Sequence, residues 1–112
     1  MTAAKPAKRS KPSKRHAALL EGIIDDATVD CYGEDEQFSG WLCTLQDSIT
    51  CPQECTANNA ACKLLKIIDA MGGRGVHALV DIGGKRLVVP AETLELRDKR
   101  QNAYILAYKE WL

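Results

Sequence analysis

Residues 76–90, VHALVDIGGKRLVVP, contain two runs of β-type residues separated by Gly83 and Gly84. A Gly-Gly pair in this position is typical of a two-residue hairpin turn, because both turn residues need a positive φ that glycine adopts without steric cost. Pro90 has no N–H to donate to a strand ladder, so it belongs at a strand end or at a sheet edge. The sequence therefore predicts an antiparallel hairpin over this stretch.

The segments on either side of the hairpin also have β character. ACKLLKIID (61–69) precedes it, MGGRG (71–75) forms the connecting loop, and TLEL (93–96) provides one further short strand. Short strands joined by glycine turns can close on themselves. We therefore predict a small antiparallel SH3-like β-barrel over residues 51–98.

Helical periodicity appears on both sides of this β unit. Between residues 17 and 50 the apolar residues recur at helical spacing in two groups: Leu19, Leu20, Ile23, Ile24 and Ala27, then Phe38, Trp41, Leu42, Leu45 and Ile49. A closing helix over 101–112 has its own stripe: Tyr104, Ile105, Tyr108, Trp111 and Leu112. The predicted fold is α+β, with N-terminal helices, the small barrel and a C-terminal helix in one domain over 17–112.

Charge is distributed very unevenly along the chain. Residues 1–16 hold six Lys and Arg residues and no acid, and with few apolar side chains they are expected to form a disordered basic tail. The rest of the chain has nine Lys and Arg residues against fifteen Asp and Glu. Residues 17–62 hold nine of those acids and no Lys or Arg. This acidic half predicts affinity for cations.

Location and redox state follow from what the sequence lacks. No stretch reaches the ~20 apolar residues of a membrane helix, and HAALLEGIIDD (16–26) is too interrupted by Glu21 and Asp25 for a signal peptide. We therefore expect a cytoplasmic protein with no membrane partner. Its five cysteines are expected to be reduced thiols rather than a disulfide set.

The segment DATVDCYGEDEQ (26–37) is the main candidate for a metal site. Calcium takes six to eight oxygen ligands, so several carboxylates must converge on one point. If the first helix continued to residue 30, Asp26 and Asp30 would form an i, i+4 pair, and the acids after Gly33 could fold back towards them. The candidates are Asp26, Asp30, Glu34, Asp35 and Glu36. The spacing is not that of an EF-hand.

Two observations limit this interpretation. Acids in the first turn of a helix interact favourably with its dipole, so Glu34, Asp35 and Glu36 need no metal to explain them. Asp47 lies about 12 helical residues beyond Asp35, roughly 18 Å along the axis, so it cannot share the same ion and is at most a second, weaker site.

Other chemistries are less well supported by the sequence. Cys51 and Cys55 have no second cysteine pair at zinc-ribbon spacing, and His77 is distant in sequence from both. No nucleophile motif accompanies His77, so we expect no enzyme activity. The basic tail suits phosphate contacts, which leaves nucleic-acid binding open, or the tail could fold back onto the acidic region.

Three stretches together resemble a known family. VDCYGEDEQFSGWLCTLQD (29–47), LVDIGGKRLVVPAETLEL (79–96) and the terminal AYKEWL (107–112) are similar to the small bacterial calcium-binding proteins of the cyanobacterial CcbP type. The resemblance covers about residues 23–112. Gly33 and Gln46 stand where members of that family commonly have acids, and TCPQEC (50–55) replaces a segment usually rich in aromatic residues and proline.

The resemblance implies calcium binding through clustered surface carboxylates, with the β unit similar to an SH3-like barrel. The matching acids here are Asp26, Asp30, Glu34, Asp35, Glu36 and Asp47. The predicted function is that of a Ca²⁺ buffer or sensor, with Ca²⁺ as the ligand and no known protein partner. Calcium signalling, the best-known role in the family, does not follow from these residues. The alternative is a small interaction module that binds a basic protein or, through residues 1–16, nucleic acid.

Overall fold

A computed structural model describes residues 14–69 and 75–112. In chain order, the elements of these residues are α1 (Lys14–Ala27), α2 (Glu34–Ser48), β1 (Gln53–Ala57), β2 (Ala60–Asp69), β3 (Val76–Ile82), β4 (Lys85–Pro90), a 3₁₀-helix (Ala91–Thr93), β5 (Leu94–Leu96) and α3 (Lys99–Trp111). The predicted α+β class is confirmed. None of the helices in these residues is long and apolar enough to cross a lipid bilayer.

The five strands form one antiparallel sheet in the order β4-β3-β2-β1-β5. The predicted hairpin is confirmed: Ile82 pairs with Lys85, and Gly83 and Gly84 have φ angles of 59° and 89°. These are the positive φ values that a tight turn between twisted strands requires. The Asp81 carboxylate supports the turn, since its Oδ1 accepts a hydrogen bond from the Gly84 N–H at 2.8 Å.

The sheet is not closed, and the predicted SH3-like barrel is not confirmed. Strands β4 and β5 are the two edges, with three strands between them. A sheet closes when its inner face has only itself to pack against, whereas here helices cover that face. Helix α2 packs on β2 and β3, and α3 packs on β5 and the 3₁₀-helix.

Strand β1 was not predicted from the sequence. Its five residues, QECTA, contain one residue type enriched in strands, Thr56, and no large aliphatic residue, so they do not form a recognisable β-type run. The strand forms because it lies between β2 and β5, with Cys55 paired to Cys62 on one side and to Leu96 on the other. Its hairpin to β2 turns through Asn58 and Asn59, both at positive φ. Pairing with neighbours, rather than local propensity, forms this strand.

The hydrophobic core lies between the helices and one face of the sheet. The apolar stripes predicted from the sequence provide much of it: Trp41 and Leu45 of α2 are fully buried, as is Tyr108 of α3. The stripe of α1 is buried at Leu20, Ile23 and Ala27. One continuous cluster therefore joins all three helices to the sheet.

The N-terminal boundary differs from the prediction. Helix α1 begins at Lys14, inside the stretch 1–16 that was expected to be a disordered tail. The apolar stripe starts only at Leu19, so periodicity gave no reason to extend the helix to the basic residues before it. Residues 1–13 of that tail, and residues 71–74 of the predicted loop, lie outside the described residues.

Candidate metal site

The candidate acidic residues lie around the turn between α1 and α2. Thr28 completes the last turn of α1: its N–H and its Oγ1 both donate hydrogen bonds to the Ile24 carbonyl, at 3.1 and 2.8 Å. The Cys31 N–H then donates to the Thr28 carbonyl at 3.1 Å. Asp30 has a φ of 58°, a left-handed conformation that Asp tolerates better than most residues. These contacts reverse the chain within a few residues.

The structure places five of the six predicted residues on the two sides of this turn. Asp26 is in the last turn of α1, Asp30 is in the connection, and Glu34, Asp35 and Glu36 form the first turn of α2. All five side chains are exposed. Asp26 and Asp30 do not form the i, i+4 pair that a helix continuing to residue 30 would give, because α1 ends at Ala27.

The acids at the start of α2 also have a structural role. Gly33 is the N-cap residue and offers no side chain to the free N–H groups of the first turn. Three negative charges in that turn interact favourably with the positive end of the helix dipole. Helix stabilisation therefore accounts for Glu34, Asp35 and Glu36 without a metal ion.

The carboxylates do not converge. Within residues 14–69 and 75–112, no group of three or more His, Cys, Asp or Glu side chains is arranged to hold a metal ion. Carboxylates repel one another in the absence of a cation, and side chains on a solvent-exposed turn are able to spread apart. A calcium ion at this turn would therefore have to draw the side chains together as it binds.

Asp47 lies at the other end of α2, as predicted. It lines a shallow surface depression together with Lys66 of β2. The end of α2 is held there by Gln46, whose Nε2 donates to the Ile67 carbonyl at 3.0 Å. Asp47 is therefore separated from the acidic turn by the length of α2.

The zinc alternative is not supported by the arrangement of the sheet. Val76, Ala78 and Val80 of β3 are buried, so His77, which alternates with them, lies on the other face. Cys55 lies on the core face, opposite Cys62. Cys55 and His77 therefore point to opposite sides of the sheet.

The structure does bring together two cysteines that were not paired in the sequence analysis. Cys55 and Cys62 are directly opposite each other in the β1–β2 ladder, and their Sγ atoms are 3.6 Å apart. The sequence contains a signal for this pair: each cysteine is three residues from the Asn58-Asn59 turn, on either side of it. A two-residue turn at that position puts them in register.

Comparison with solved structures shows a shared fold. The crystal structure of Anabaena CcbP matches with a TM-score of 0.67 and 16% sequence identity, over 90% of this chain and 91% of that chain. A calcium-binding protein in the calcium-binding form matches with a TM-score of 0.69 and 18% identity, over 90% of this chain and 94% of that chain. No protein-family model and no curated protein matches the chain.

These matches place the chain in a structural class of small α+β proteins. The resemblance to the CcbP type, predicted from three stretches of sequence, is confirmed at the level of the fold. The match covers nearly the whole of all three chains, so the shared unit includes both the helices and the sheet.

Proposed function

We propose that the protein binds Ca²⁺ through the carboxylates of the α1–α2 turn and has no enzyme activity. The observation that carries this proposal is the fold shared with a calcium-binding protein in the calcium-binding form. The charge distribution adds support, since Asp26, Asp30 and the three acids of the first turn of α2 are exposed on one short turn. No Lys or Arg occurs between residues 17 and 62 to compete for them.

Ca²⁺ suits this turn for reasons of ligand chemistry. It accepts six to eight oxygens in flexible geometry, including carboxylates in either binding mode, backbone carbonyls and water. An exposed turn provides carboxylates and carbonyls at variable distances, which a larger cation accommodates better than Mg²⁺ does. The proposed ligands are drawn from Asp26, Asp30, Glu34, Asp35 and Glu36, with Asp47 as a separate and weaker position.

Calorimetric titration of the metal-stripped protein with Ca²⁺, in a buffer that contains Mg²⁺, tests the proposal. We expect saturable binding that is lost in the double variant Asp30→Asn with Asp35→Asn. The matched control is Glu95→Gln with Glu110→Gln, which changes net charge equally at two exposed acids on β5 and α3. Equal loss in both variants would mean that overall charge, and not the turn, binds the ion.

Absence of saturable heat up to millimolar Ca²⁺ would overturn the proposal. The alternative function, an interaction module for a basic protein or for nucleic acid, would then take its place. Binding of nucleic acid through basic residues depends steeply on salt, whereas a chelating site continues to prefer Ca²⁺ over Mg²⁺ as salt is added.

The aromatic cluster offers a way to separate a buffer from a sensor. Phe38 lies on α2 just after the acids of its first turn, and its ring is 5.0 Å from the Trp111 ring in an edge-on contact. If Ca²⁺ repositions the start of α2, that contact changes and so does Trp111 fluorescence. A sensor should show a spectral shift with Ca²⁺ in a Trp41→Phe variant, in which Trp111 is the only tryptophan, whereas a buffer should show none.

A further inference from the structure

Cys55 and Cys62 form a pair of thiols at the centre of the sheet. They are Cα partners on β1 and β2, both are buried, and both are free thiols. The 3.6 Å between their Sγ atoms is the distance of a contact, not of a bond. Two hairpin residues at positive φ, Asn58 and Asn59, set the register that puts them opposite each other.

This geometry is close to that of a disulfide. Opposed residues in an antiparallel ladder have Cα atoms about 4.5 to 5.5 Å apart, within the roughly 4.4 to 6.8 Å that disulfides span. The sulfur atoms must approach by about 1.5 Å to reach the ~2.05 Å bond length, which rotation of the two side chains provides. The strands do not have to separate.

We propose that Cys55 and Cys62 are a reversible dithiol–disulfide pair that exchanges with small disulfides of the glutathione type. One cysteine, as the thiolate, attacks a sulfur of the small disulfide and releases one small thiol. The other cysteine then attacks the protein sulfur of that mixed disulfide and releases the second small thiol. Two S–H bonds are lost and one S–S bond forms, and the small disulfide takes up two electrons and two protons.

A surface pocket gives a small reagent an approach to the pair. Cys55 contributes to the lining of a pocket formed by β1, β5 and the start of α3, where Arg97 and Lys99 also line the wall. Glu95 lines the same wall and Arg97 pairs with Glu54 at 3.7 Å, so the charges of the pocket are close to balanced and do not select for the charge of the disulfide. The pocket therefore offers a small disulfide an approach to a thiol that is itself only 3% exposed.

Burial keeps Cys55 in the thiol form at neutral pH. Desolvation, followed by the contact with the Cys62 thiol, raises the pKa of Cys55 from 9.0 to about 12. Exchange proceeds through the thiolate, so oxidation should be slower than at an exposed cysteine such as Cys43 and should accelerate with pH. The proposal is independent of calcium binding.

Peptide mapping of the full-length protein tests this pairing directly. Glu54 precedes Cys55 and Lys63 follows Cys62, so digestion with trypsin and a Glu-specific protease releases CTANNAACK (55–63), with these two cysteines and no other. The protein is incubated with glutathione disulfide at mildly alkaline pH, for many times the period in which the exposed Cys43 reacts fully, and the remaining thiols are then alkylated under denaturing conditions. We expect to recover this fragment without alkyl groups and two hydrogens lighter than the reduced peptide. After reduction with dithiothreitol and alkylation, the same fragment should carry two alkyl groups.

Two results would overturn the proposal. One is a fragment that still carries two alkyl groups at the end of this long alkaline incubation. The other is a disulfide between Cys55 and Cys51. Cys51 is an exposed thiol close enough to raise the pKa of Cys55. Because Glu54 lies between these two cysteines, cleavage there would give two peptides joined by the disulfide. Among variants, Cys62→Ser should give no cyclic fragment, while Cys43→Ser should leave the yield unchanged. The wild-type digest decides the question even if Cys62→Ser fails to fold.

Discussion

Gly40 of α2 lies directly against the backbone carbonyl of Ala27 at the end of α1. A Cβ atom built on Gly40 would overlap that carbonyl oxygen and would also approach the Cys31 sulfur to 3.2 Å. The two helices therefore cross at a point where neither has a side chain between their backbones. This crossing fixes where α1 ends relative to α2, and so it holds both ends of the acidic turn.

Replacement of this glycine should destabilise the protein. Gly40→Ala should lower the free energy of unfolding by about 1 to 3 kcal/mol, because the helices must separate to admit the methyl group. The matched control is Gly22→Ala on α1, where a Cβ meets nothing within 4 Å. That variant should gain about 0.5 to 1 kcal/mol from helix propensity alone. Urea denaturation measures both, and equal effects would contradict the proposed close approach.

The Tyr108 hydroxyl connects α3 to the start of β3. Its oxygen accepts a hydrogen bond from the Val76 N–H at 2.8 Å, in a fully buried position. Tyr108→Phe leaves that N–H without its acceptor, so unfolding free energy should fall by about 1 to 3 kcal/mol. Tyr104→Phe, on the same helix but only half-buried, is the control and should change stability by less than about 0.5 kcal/mol. The denaturation midpoints of the two variants test this expected difference in stability.

Stability should decrease at alkaline pH. Burial raises the pKa of Cys55 from 9.0 to about 12 in the folded protein, so the unfolded chain releases this proton first. The contribution of the protonated Cys55 thiol to the free energy of unfolding is therefore complete below pH 9 and is lost as the pH rises towards 12. Burial also raises the pKa of Tyr108, which adds a loss above its ordinary value of 10.0.

A Cys55→Ala variant separates these contributions. Its free energy of unfolding, measured under reducing conditions from pH 8 to 11, should decline less steeply than that of the wild type. Cys43→Ala, which removes an exposed thiol, should retain the wild-type slope. Parallel curves for all three proteins would show that Cys55 does not titrate as proposed.

The two tight turns of the sheet should respond in opposite directions. Gly84 has a φ of 89°, so Gly84→Ala forces an L side chain into a left-handed conformation and should cost about 1 to 2 kcal/mol. Asn59 has a φ of 68° with an asparagine before it, and Asn59→Gly creates the Asn-Gly pair that such turns favour. Thermal melting should show a lower midpoint for the first variant and a higher midpoint for the second.

Local patterns predicted much of the fold correctly. The stripe containing Trp41 and Leu45 has the helical period, and Gly83-Gly84 has the turn chemistry of a hairpin. Each of these signals lies within a few residues of the chain, so no knowledge of distant partners was needed. Strand β1 has no such signal and was missed, because its stability comes from Leu96 and Cys62, which are far from it or across a turn.

The candidate site, like the fold, was predicted in part by local sequence and in part was not. Composition identified the acids of residues 26–36, and in the structure these side chains are exposed on the two sides of one turn. Whether they converge on an ion depends on side-chain positions in solvent, which no sequence pattern specifies. Asp26 and Asp30 do not share a helix, because α1 ends at Ala27 and Asp30 has the left-handed conformation of the turn, with a φ of 58°.

The sequence by itself determined the helices, the β3–β4 hairpin and the acidic turn, because each follows from the spacing of neighbouring residues. Only the tertiary structure decided that the sheet stays open, since that depends on helices packing on its face. It alone also aligned Glu54, Lys63, Asp81 and Arg86 in one row of alternating charge across four strands. These relationships depend on strand register, which joins residues that the sequence keeps apart.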